Sequence, residues 1–414
     1  MVRVPFTWSC QCRRLEPMKS SSFAFIGCLL ALCSACQTPF SEIGEQRILV
    51  FENLPIVFAP KANITSNEAD TLVLHAGRVV LKKLTLPVFQ QQTQVTAHVS
   101  LSSNGDPWDK SGSLFVIPVN DDLSLLDLAQ GQFPVNQLAE AYPGVAHFES
   151  LDQSYFPAVE LLRFITPFGA GYYSDHPKME KLKPPSITRW ASEVAWSADI
   201  SHLLSLLENE VWVGVYIDTW SDQGYLIDVA LNVKPAARGQ SPRQPRVVLP
   251  LINTTTYTER QRGYDGFAKA DLVVEFELPK TITEAQLYFI TTGHGGHSTG
   301  DEFTPREHRI SLDGNLLSQF TPWRDDCTDF RHLNPSSGVW TETKEIEGKV
   351  IEVPIASSDY ARSNWCPGSD VPPQKIALGN LQQGKHRLSI SIPAAQPAAE
   401  NEYNSWNVSA YLVY

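Results

Sequence analysis

Apolar and polar residues alternate in many short stretches of the chain, and turn-forming residues separate these stretches. Alternation places every second side chain on the same face of an extended strand, so it predicts half-buried β-strands. The first half of the sequence contains the predicted strands Thr71–Leu81, Gln94–Leu101, Ser113–Val119, Val211–Thr219 and Tyr225–Val233. The second half contains Arg246–Ile252, Asp271–Leu278, Ala285–Thr291, His308–Leu312, His386–Ile392 and Trp406–Tyr414.

Helical periodicity is scarce, and it predicts short helices only in two connections, Leu123–Leu138 and Ser201–Asn209. The segment Lys234–Arg246 is rich in proline, basic and without periodicity, which is typical of a linker. The sequence therefore predicts an all-β protein of two adjacent antiparallel sandwiches. We expect an N-terminal domain at residues 45–236 and a C-terminal domain at residues 245–414.

The composition agrees with this predicted fold and argues against a nucleic acid partner. The 414 residues are 43% hydrophobic and 19% charged, as in an ordinary folded protein of about two domains. The 29 prolines and 10% aromatic residues favour a turn-rich all-β architecture. The formal net charge of −12 disfavours binding to phosphate backbones, so no nucleic acid partner is predicted.

The N-terminus resembles an export signal. Lys19 precedes the apolar run Phe23–Leu32, which is shorter than the ~20 residues that span a bilayer but suits a secretory signal peptide. Met18 is therefore the predicted true start, and residues 1–36 are interpreted as an over-extended start plus a signal peptide. We expect the protein to be exported.

The end of this signal resembles the lipobox of bacterial lipoproteins, in which a cysteine after small residues is lipidated. Here Ser34 and Ala35 precede Cys36, and Cys33 stands where a leucine is usual. This predicts a cell-envelope lipoprotein of the outer membrane, with Cys36 as its only membrane anchor. Signal cleavage without lipidation, giving a secreted or periplasmic protein, is the alternative. Beyond Cys36 only Cys327 and Cys366 remain, which predicts one disulfide in an oxidising compartment.

Two acidic clusters in the N-terminal half are candidates for chemistry. Asp109 follows Trp108 just ahead of a predicted strand, where partial burial would raise the pKa of its carboxyl toward that of a general base. A packed Asp-Pro turn is the alternative. Strand alternation would place Asp218 on one face with Tyr216 and Trp220. That face suits a cleft, and a solvated outer face is the alternative.

The C-terminal half holds further candidates. A glycine-rich stretch from Thr292 to His308 contains Glu302 and Arg306, and its glycines permit close approach to a ligand. Its histidines, His294, His297 and His308, suggest a metal, but no His-x-His or HExxH spacing is present, so none is predicted. The disulfide would clamp two loops that carry Trp323, Arg324, Arg362 and Trp365. Aromatic faces with arginines suit sugars, and packing beside the disulfide is the alternative.

Taken together, these stretches resemble the peptide-N-glycosidase F family, bacterial secreted amidases that remove N-linked glycans. The resemblance runs from about residue 95 to Tyr414. In the C-terminal half it rests on GHGGHSTGDEF, PWRDDC, SSDYARSNWCPGSDV and VSAYLVY. In the N-terminal half it rests on PWDKSGSLFV, LLRFITPF and VYIDTWSDQGYLIDV. It implies two jelly-roll domains packed side by side, with the active cleft at their interface.

The resemblance also implies catalytic roles for three acids. Asp109 matches the essential aspartate of a Trp-Asp-Arg motif, with Lys110 in place of the arginine. Asp218 stands where the family has the glutamate of Glu-Thr-Trp, and Glu302 matches the third acid. The implied substrate-binding residues are Trp108, Lys110, Trp220, His294, Gly295, Phe303, Arg306, Arg362 and Trp365.

Some features depart from the family pattern. No cysteines lie shortly before Trp108, and Gly293-His294-Gly295-Gly296 replaces Gly-Trp-Gly-His, so a sugar-stacking indole is missing. The stretches Asn120–Glu160 and Tyr172–Trp190 look like insertions near the cleft. These departures bear on glycan preference, including tolerance of core fucose, more than on the reaction.

The implied reaction cleaves the amide between asparagine and the first N-acetylglucosamine of N-linked glycans, giving aspartate and a glycosylamine. It needs no cofactor, its partners are N-linked glycoproteins and glycopeptides, and a monomer is expected. A non-catalytic carbohydrate-binding double sandwich is the alternative. A copper monooxygenase would share the architecture but needs clustered His and Met ligands, and Met179 is the only methionine after the signal.

Overall fold

Strands dominate the computed structural model, as the alternating pattern predicts. The structure describes residues 45–62, 66, 68–87, 89, 93–120, 122–131, 155–235, 246–258, 266–295, 300–398 and 403–414. The predicted lipidation site Cys36 lies outside the described residues, as do His297 and most of the predicted linker. The two domain boundaries predicted around that linker therefore stay a prediction.

The first sandwich consists of a four-stranded and a five-stranded antiparallel sheet. The four-stranded sheet contains β1 (Gln46–Ile56), β4 (Gln94–Ser103), β7 (Val194–Asp199) and β9 (Tyr225–Lys234). The five-stranded sheet contains β2 (Thr71–Leu74), β3 (Val79–Leu86), β5 (Ser111–Pro118), β6 (Val159–Ile165) and β8 (Asn209–Ile217). The strand orders are β1-β9-β4-β7 and β2-β3-β8-β5-β6. One apolar core contains residues of both sheets; in β4 it takes every second residue, from Val95 to Leu101.

The second sandwich has two four-stranded antiparallel sheets. One contains β10 (Val248–Asn253), β12 (Ile282–Gly295), β17 (Gln374–Leu381) and β19 (Asn404–Val413) in the order β10-β19-β12-β17. The other contains β11 (Leu272–Leu278), β13 (His308–Leu312), β14 (Asn315–Phe320) and β18 (Gly384–Ser391) in the order β11-β18-β13-β14. A separate hairpin is formed by β15 (Thr341–Ile346) and β16 (Lys349–Pro354). The predicted all-β fold class of two sandwiches is confirmed.

Helical elements are short. The α-helices of the described residues are Leu125–Ala129, Pro177–Leu182 and Gly266–Lys269. Single 3-10 turns or short 3-10 helices lie at His75–Gly77, Ser201–Leu206, Cys327–Leu333, Pro335–Ser337 and Ser357–Asp359. None of the helices in the described ranges is long and apolar enough to cross a membrane.

Three predicted elements differ from the structure. The single strand predicted at Thr71–Leu81 is wrong, because His75–Gly77 adopt positive φ values of 50°, 55° and 98° and turn the chain between β2 and β3. The predicted helix Leu123–Leu138 begins at Leu125, capped by Ser124, and ends at Ala129; residues 132–154 are outside the described part. The predicted helix Ser201–Asn209 is a 3-10 helix that ends at Leu206.

The two sandwiches contact each other through polar and apolar groups of β6 and its neighbours. Glu160 and Arg163 form a buried ion pair of 2.6 Å, and Arg163 also donates to the Asn407 carbonyl of the second sandwich at 2.7 Å. Ile165 packs in an apolar cluster with residues of the second sandwich. In addition, the Ser336 hydroxyl donates to the Pro107 carbonyl at 2.7 Å. These contacts fix the loop after β4 against the second sandwich.

Candidate active site

Asp109 lies in the loop that connects β4 and β5. Asp106 shapes this loop, because its Oδ1 accepts the Trp108 N–H at 3.0 Å. The Thr166 hydroxyl oxygen then accepts the Lys110 N–H at 2.8 Å. These bonds place the Asp109 carboxylate at the start of β5, where its side chain is 16% exposed.

Asp218 follows the end of β8 and lies beside the same end of the sheet. Its N–H donates to the Ser111 carbonyl at 2.9 Å, and Arg78 Nη1 lies 3.4 Å from its Oδ1. The Arg78 guanidinium packs against the rings of Phe58 and Trp220, at 4.0 and 3.9 Å from their centroids. The Asp218 side chain is 42% exposed, so it lies at the rim of the site.

Glu302 belongs to the second sandwich and is held close to the end of β12. Its Oε2 accepts the Gly295 N–H at 3.0 Å, and its carbonyl accepts the Ser363 N–H at 2.9 Å. Gly295 has φ +83°, and a Cβ built there would lie 1.8 Å from the Tyr403 carbonyl oxygen. A glycine is therefore required at this position for the backbone to reach Glu302.

Arg362 contacts one acid of each sandwich. Its side chain is 1% exposed, its Nε donates to Glu302 Oε1 at 3.1 Å, and its Nη2 lies 3.4 Å from Asp109 Oδ2. Nη1 donates to the carbonyls of Ser357 and Tyr360 at 2.5 and 3.0 Å. The guanidinium is therefore fixed by the backbone on one side and bridges two carboxylates on the other. Phe303 and Trp365 flank it, each with its ring centroid at 4.8 Å.

The surroundings shift the acidity of all three carboxyl groups. Burial raises the pKa of Glu302 to about 7; the Arg362 charge opposes this and the Asp109 charge adds to it. Burial likewise raises the pKa of Asp109, against the charges of Arg362 and Lys110. Loss of hydration raises the pKa of Asp218, although its exposure limits the effect. Two carboxyl groups with raised pKa values, Asp109 and Glu302, therefore contact the same arginine.

Two large aromatic side chains are exposed beside these acids. Trp108 is 59% exposed and Trp220 is 53% exposed, and both suit stacking on the apolar C–H faces of sugars. Tyr216, which alternation placed with Asp218 and Trp220, is instead buried at 4% exposure. The strand ends at Ile217, so alternation no longer applies to the residues after it.

Trp365 and His294 pack beneath the arginine. Trp365 is 3% exposed and its Nε1–H donates to the Gly293 carbonyl at 2.8 Å. His294 stacks on it at 5.3 Å and contacts the Thr292 hydroxyl through Nε2 at 2.8 Å. Burial, followed by the charges of Arg163 and Arg362, lowers the pKa of His294 to about 3, so this imidazole is neutral.

The predicted disulfide between Cys327 and Cys366 is present, with a Cα–Cα distance of 5.1 Å. It lies next to Trp365 and so anchors the loop that carries Arg362. Of the other two residues in the predicted clamp, Trp323 is half-buried. Arg324 pairs with Asp326 at 2.5 Å and exchanges backbone hydrogen bonds with Arg362.

Arg306 and His308 have partners other than the three acids. Arg306 forms its ion pair with Asp301, Nε to Oδ1 at 2.6 Å, rather than with Glu302. His308 is buried in the second sandwich and contacts the Thr291 hydroxyl at 3.1 Å. Within the described ranges, no group of three or more His, Cys, Asp or Glu side chains is arranged to hold a metal ion.

A cavity of about 220 Å³ lies elsewhere between the sandwiches, and none of the three acids lines it. Several of its polar lining residues already have partners. Glu160 and Arg163 pair with each other, and His202 Nε2 lies 2.9 Å from the Tyr411 hydroxyl. The converging acids, rather than this cavity, are therefore the candidate active site.

Sequence reasoning missed Arg78 and Asp106. Arg78 follows Gly77 inside the stretch that alternation assigned to one strand, so no local signal marked it. Asp106 was visible as the first acid of Asp106-Pro107-Trp108-Asp109 but was assigned no role. Both act on residues more than one hundred positions away, which local patterns do not show.

Two family models and several solved structures are similar to this chain. Residues 47–233 match the family model "Peptide-N-glycosidase F, N terminal", and residues 264–413 match "Peptide-N-glycosidase F, C terminal". A solved structure of PNGF-II is 34% identical with a TM-score of 0.76; the match covers 89% of this chain and 65% of PNGF-II. The chain therefore spans slightly less than two thirds of that relative's length.

Two further solved structures show the same fold at lower identity. A peptide-N(4)-(N-acetyl-β-D-glucosaminyl) asparagine amidase is 16% identical with a TM-score of 0.57, and the match covers 89% of this chain and 96% of that one. PNGase F, a glycosylasparaginase from Flavobacterium meningosepticum, is 16% identical with a TM-score of 0.54, covering 90% and 96%. Among curated proteins, none matches the sequence.

Proposed function

Since the chain belongs to the peptide-N-glycosidase F family, we propose that it is an amidase that removes N-linked glycans from glycoproteins and glycopeptides. It hydrolyses the amide between the asparagine side chain and the first N-acetylglucosamine. Water supplies a hydroxyl to the carbonyl carbon and a proton to the leaving nitrogen, so the products are aspartate and a glycosylamine. The observation that carries the proposal is Arg362, which bridges Asp109 and Glu302 from the two sandwiches.

The raised pKa values of this pair suit the proton transfers that hydrolysis needs. An acid–base catalyst works best when its pKa lies near the working pH, and the pKa of Glu302 is about 7. In the proposed mechanism Asp109 is the central group that activates water or transfers the proton, and Glu302 assists it. Because Arg362 contacts both carboxylates, it stabilises whichever one is ionised.

The exposed groups around this pair are assigned to the substrate. Trp108 and Trp220 provide faces for sugar rings. Asp218 lies at the rim, where it orients the central pair or accepts hydrogen bonds from sugar hydroxyls. Lys110 offsets the negative charge of Asp109 and Asp218. The proposed hydrolysis uses only water and these side chains.

The test is to incubate the protein with a denatured N-glycoprotein in heavy-oxygen water and to analyse the peptides by mass spectrometry. We expect aspartate that carries solvent oxygen at each former glycosylation site. Asp109→Asn and Glu302→Gln should abolish the conversion, whereas Glu277→Gln, on an exposed face of β11, should not. Cleavage between the two N-acetylglucosamines would contradict the proposal. Glycan binding without release would indicate the non-catalytic carbohydrate-binding alternative.

We further propose that the protein is exported and anchored to the cell envelope through Cys36. The support is the signal-like segment that ends at Cys36 and the Cys327–Cys366 disulfide, which suits an oxidising compartment. Labelled palmitate should be incorporated into the wild type and not into Cys36→Ala. Equal labelling of both, or release of the wild type from membranes by salt alone, would contradict the anchor.

A monomer suffices for the proposed reaction, since Asp109, Glu302 and Arg362 all come from one chain. Light scattering should give the mass of a single chain under assay conditions. An active dimer that loses activity on dilution would contradict this.

A further inference from the structure

Asp106 lies between the loops that carry two of the proposed catalytic acids. Its side chain is 1% exposed. Oδ1 accepts the Trp108 N–H at 3.0 Å, and Oδ2 accepts the Thr219 hydroxyl at 2.6 Å. Trp108 immediately precedes Asp109, and Thr219 immediately follows Asp218. A single carboxylate is therefore bonded to the neighbours of both acids.

The backbone around Asp106 is held as well. Its carbonyl accepts the Ser103 hydroxyl at 2.7 Å, and its N–H donates to the Gly224 carbonyl at 3.4 Å. The Tyr225 hydroxyl donates to the Trp108 carbonyl at 2.5 Å and lies beside Asp106. Asp106 therefore joins the start of β5, the end of β8 and the start of β9.

Burial of this carboxylate is costly. Its hydrogen-bond partners among the described residues are an amide N–H and hydroxyl groups, which compensate a buried charge less well than an ion pair does. An asparagine could accept the Trp108 N–H and so maintain the same turn. The turn alone does not explain why a charged group occupies this position.

We propose that Asp106 is a positioning residue for the amidase reaction, which holds Asp109 and Asp218 in one fixed arrangement through Trp108 and Thr219. This inference rests on the proposed function. It assigns Asp106 no contact with the substrate and no proton transfer.

The charge of Asp106 has a second effect on the same two acids. It raises the pKa of Asp109 and of Asp218, as a smaller contribution than burial. Other charged or titratable groups also face Asp109, Asp218 and Asp106. They are Arg362, Lys110 and Glu302 at Asp109, and Arg78, Lys110 and Tyr216 at Asp218. At Asp106 they are Tyr173 and Tyr225. Removing the Asp106 charge should therefore lower the pKa of both acids.

The variant Asp106→Asn tests the proposal, because it preserves shape and an acceptor for the Trp108 N–H while removing the charge. We expect kcat on a glycopeptide to fall about tenfold or more, as reacting groups lose their alignment, with KM changed far less. The acidic limb of the kcat/KM profile should move to lower pH. The exposed Asp222→Asn, in the turn after Thr219, is the matched control and should behave like the wild type.

Thr219 provides an independent pair of variants should Asp106→Asn fail to fold. Thr219→Val removes the hydroxyl that donates to Asp106, and Thr219→Ser retains it. We expect Thr219→Val to lose kcat and Thr219→Ser to recover most of it. Equal effects of the two variants would overturn the inference, as would a folded Asp106→Asn with an unchanged kcat and pH profile. If the wild type releases no glycan, the proposed function fails instead.

Discussion

Glu302→Gln should abolish amidase activity and, at pH 8, make the folded protein more stable. Burial raises the pKa of Glu302 from 4.5 to about 7, so the folded protein binds this proton more tightly than the unfolded chain does. The stabilisation from the protonated form is complete below about pH 4.5 and is lost as the pH rises through 7. One pKa unit corresponds to about 1.4 kcal/mol, so ionised Glu302 costs the folded state about 3 kcal/mol.

Glutamine has the shape of the protonated side chain and cannot ionise. Its amide oxygen can still accept the Gly295 N–H or the Arg362 Nε–H, both of which contact Glu302 in the structure. We therefore expect Glu302→Gln to be more stable than the wild type at pH 8 by roughly 2–3 kcal/mol. At pH 5 the two proteins should differ by less than about 1 kcal/mol. Amidase activity should be lost at both pH values.

The assay is thermal unfolding followed by circular dichroism at pH 5 and pH 8, with Glu277→Gln as the matched control. Glu277 is exposed on β11, so its substitution should shift the midpoint little at either pH. For Glu302→Gln the midpoint should exceed that of the wild type by roughly 5 °C more at pH 8 than at pH 5. A pH-independent difference, or a variant less stable at pH 8, would refute the reasoning.

Three further predictions concern the surroundings of the site. Gly295→Ala should abolish activity, because its Cβ would collide with a backbone carbonyl 1.8 Å away. The control Gly314→Ala, at φ +80° in open space, should leave glycan release intact. A steady-state glycan-release assay compares the two variants. Cys327→Ser with Cys366→Ser removes a cross-link over 39 residues and should destabilise the protein by about 3–4 kcal/mol in denaturant titrations, and an unchanged midpoint would contradict this. Trp220→Ala should raise KM for glycopeptides with little change in kcat, since this side chain is 53% exposed; an unchanged KM would exclude sugar stacking there.

The fold class could be predicted because alternation is a local property of each strand. Val159–Ile165 was missed because all seven of its residues are buried, so the strand has no alternation. Thr341–Ile346 was missed for the opposite reason, since nearly every residue there is exposed. The sheet orders depend on pairing between distant strands, which no local pattern encodes.

The site residues that could be predicted are likewise those marked by a local motif. Asp109 and Glu302 were predicted because each lies in a short motif whose neighbours also matter, such as Trp108. Arg78 was not predicted, because its partners Asp218 and Trp220 lie about 140 positions away and no property of its own neighbourhood marks it.

The position of Arg362 implies that neither sandwich alone can form the site. Its guanidinium is held by the carbonyls of Ser357 and Tyr360, so it cannot move far toward either acid. Asp109 reaches it only because the first sandwich packs against the second through groups such as Arg163. A shift of the two sandwiches by about 1 Å would separate Asp109 from Arg362 and Glu302, and misplacement on this scale can cost about a hundredfold in rate. The buried contacts of β6 with the second sandwich therefore contribute to the alignment of the reacting groups as well as to stability.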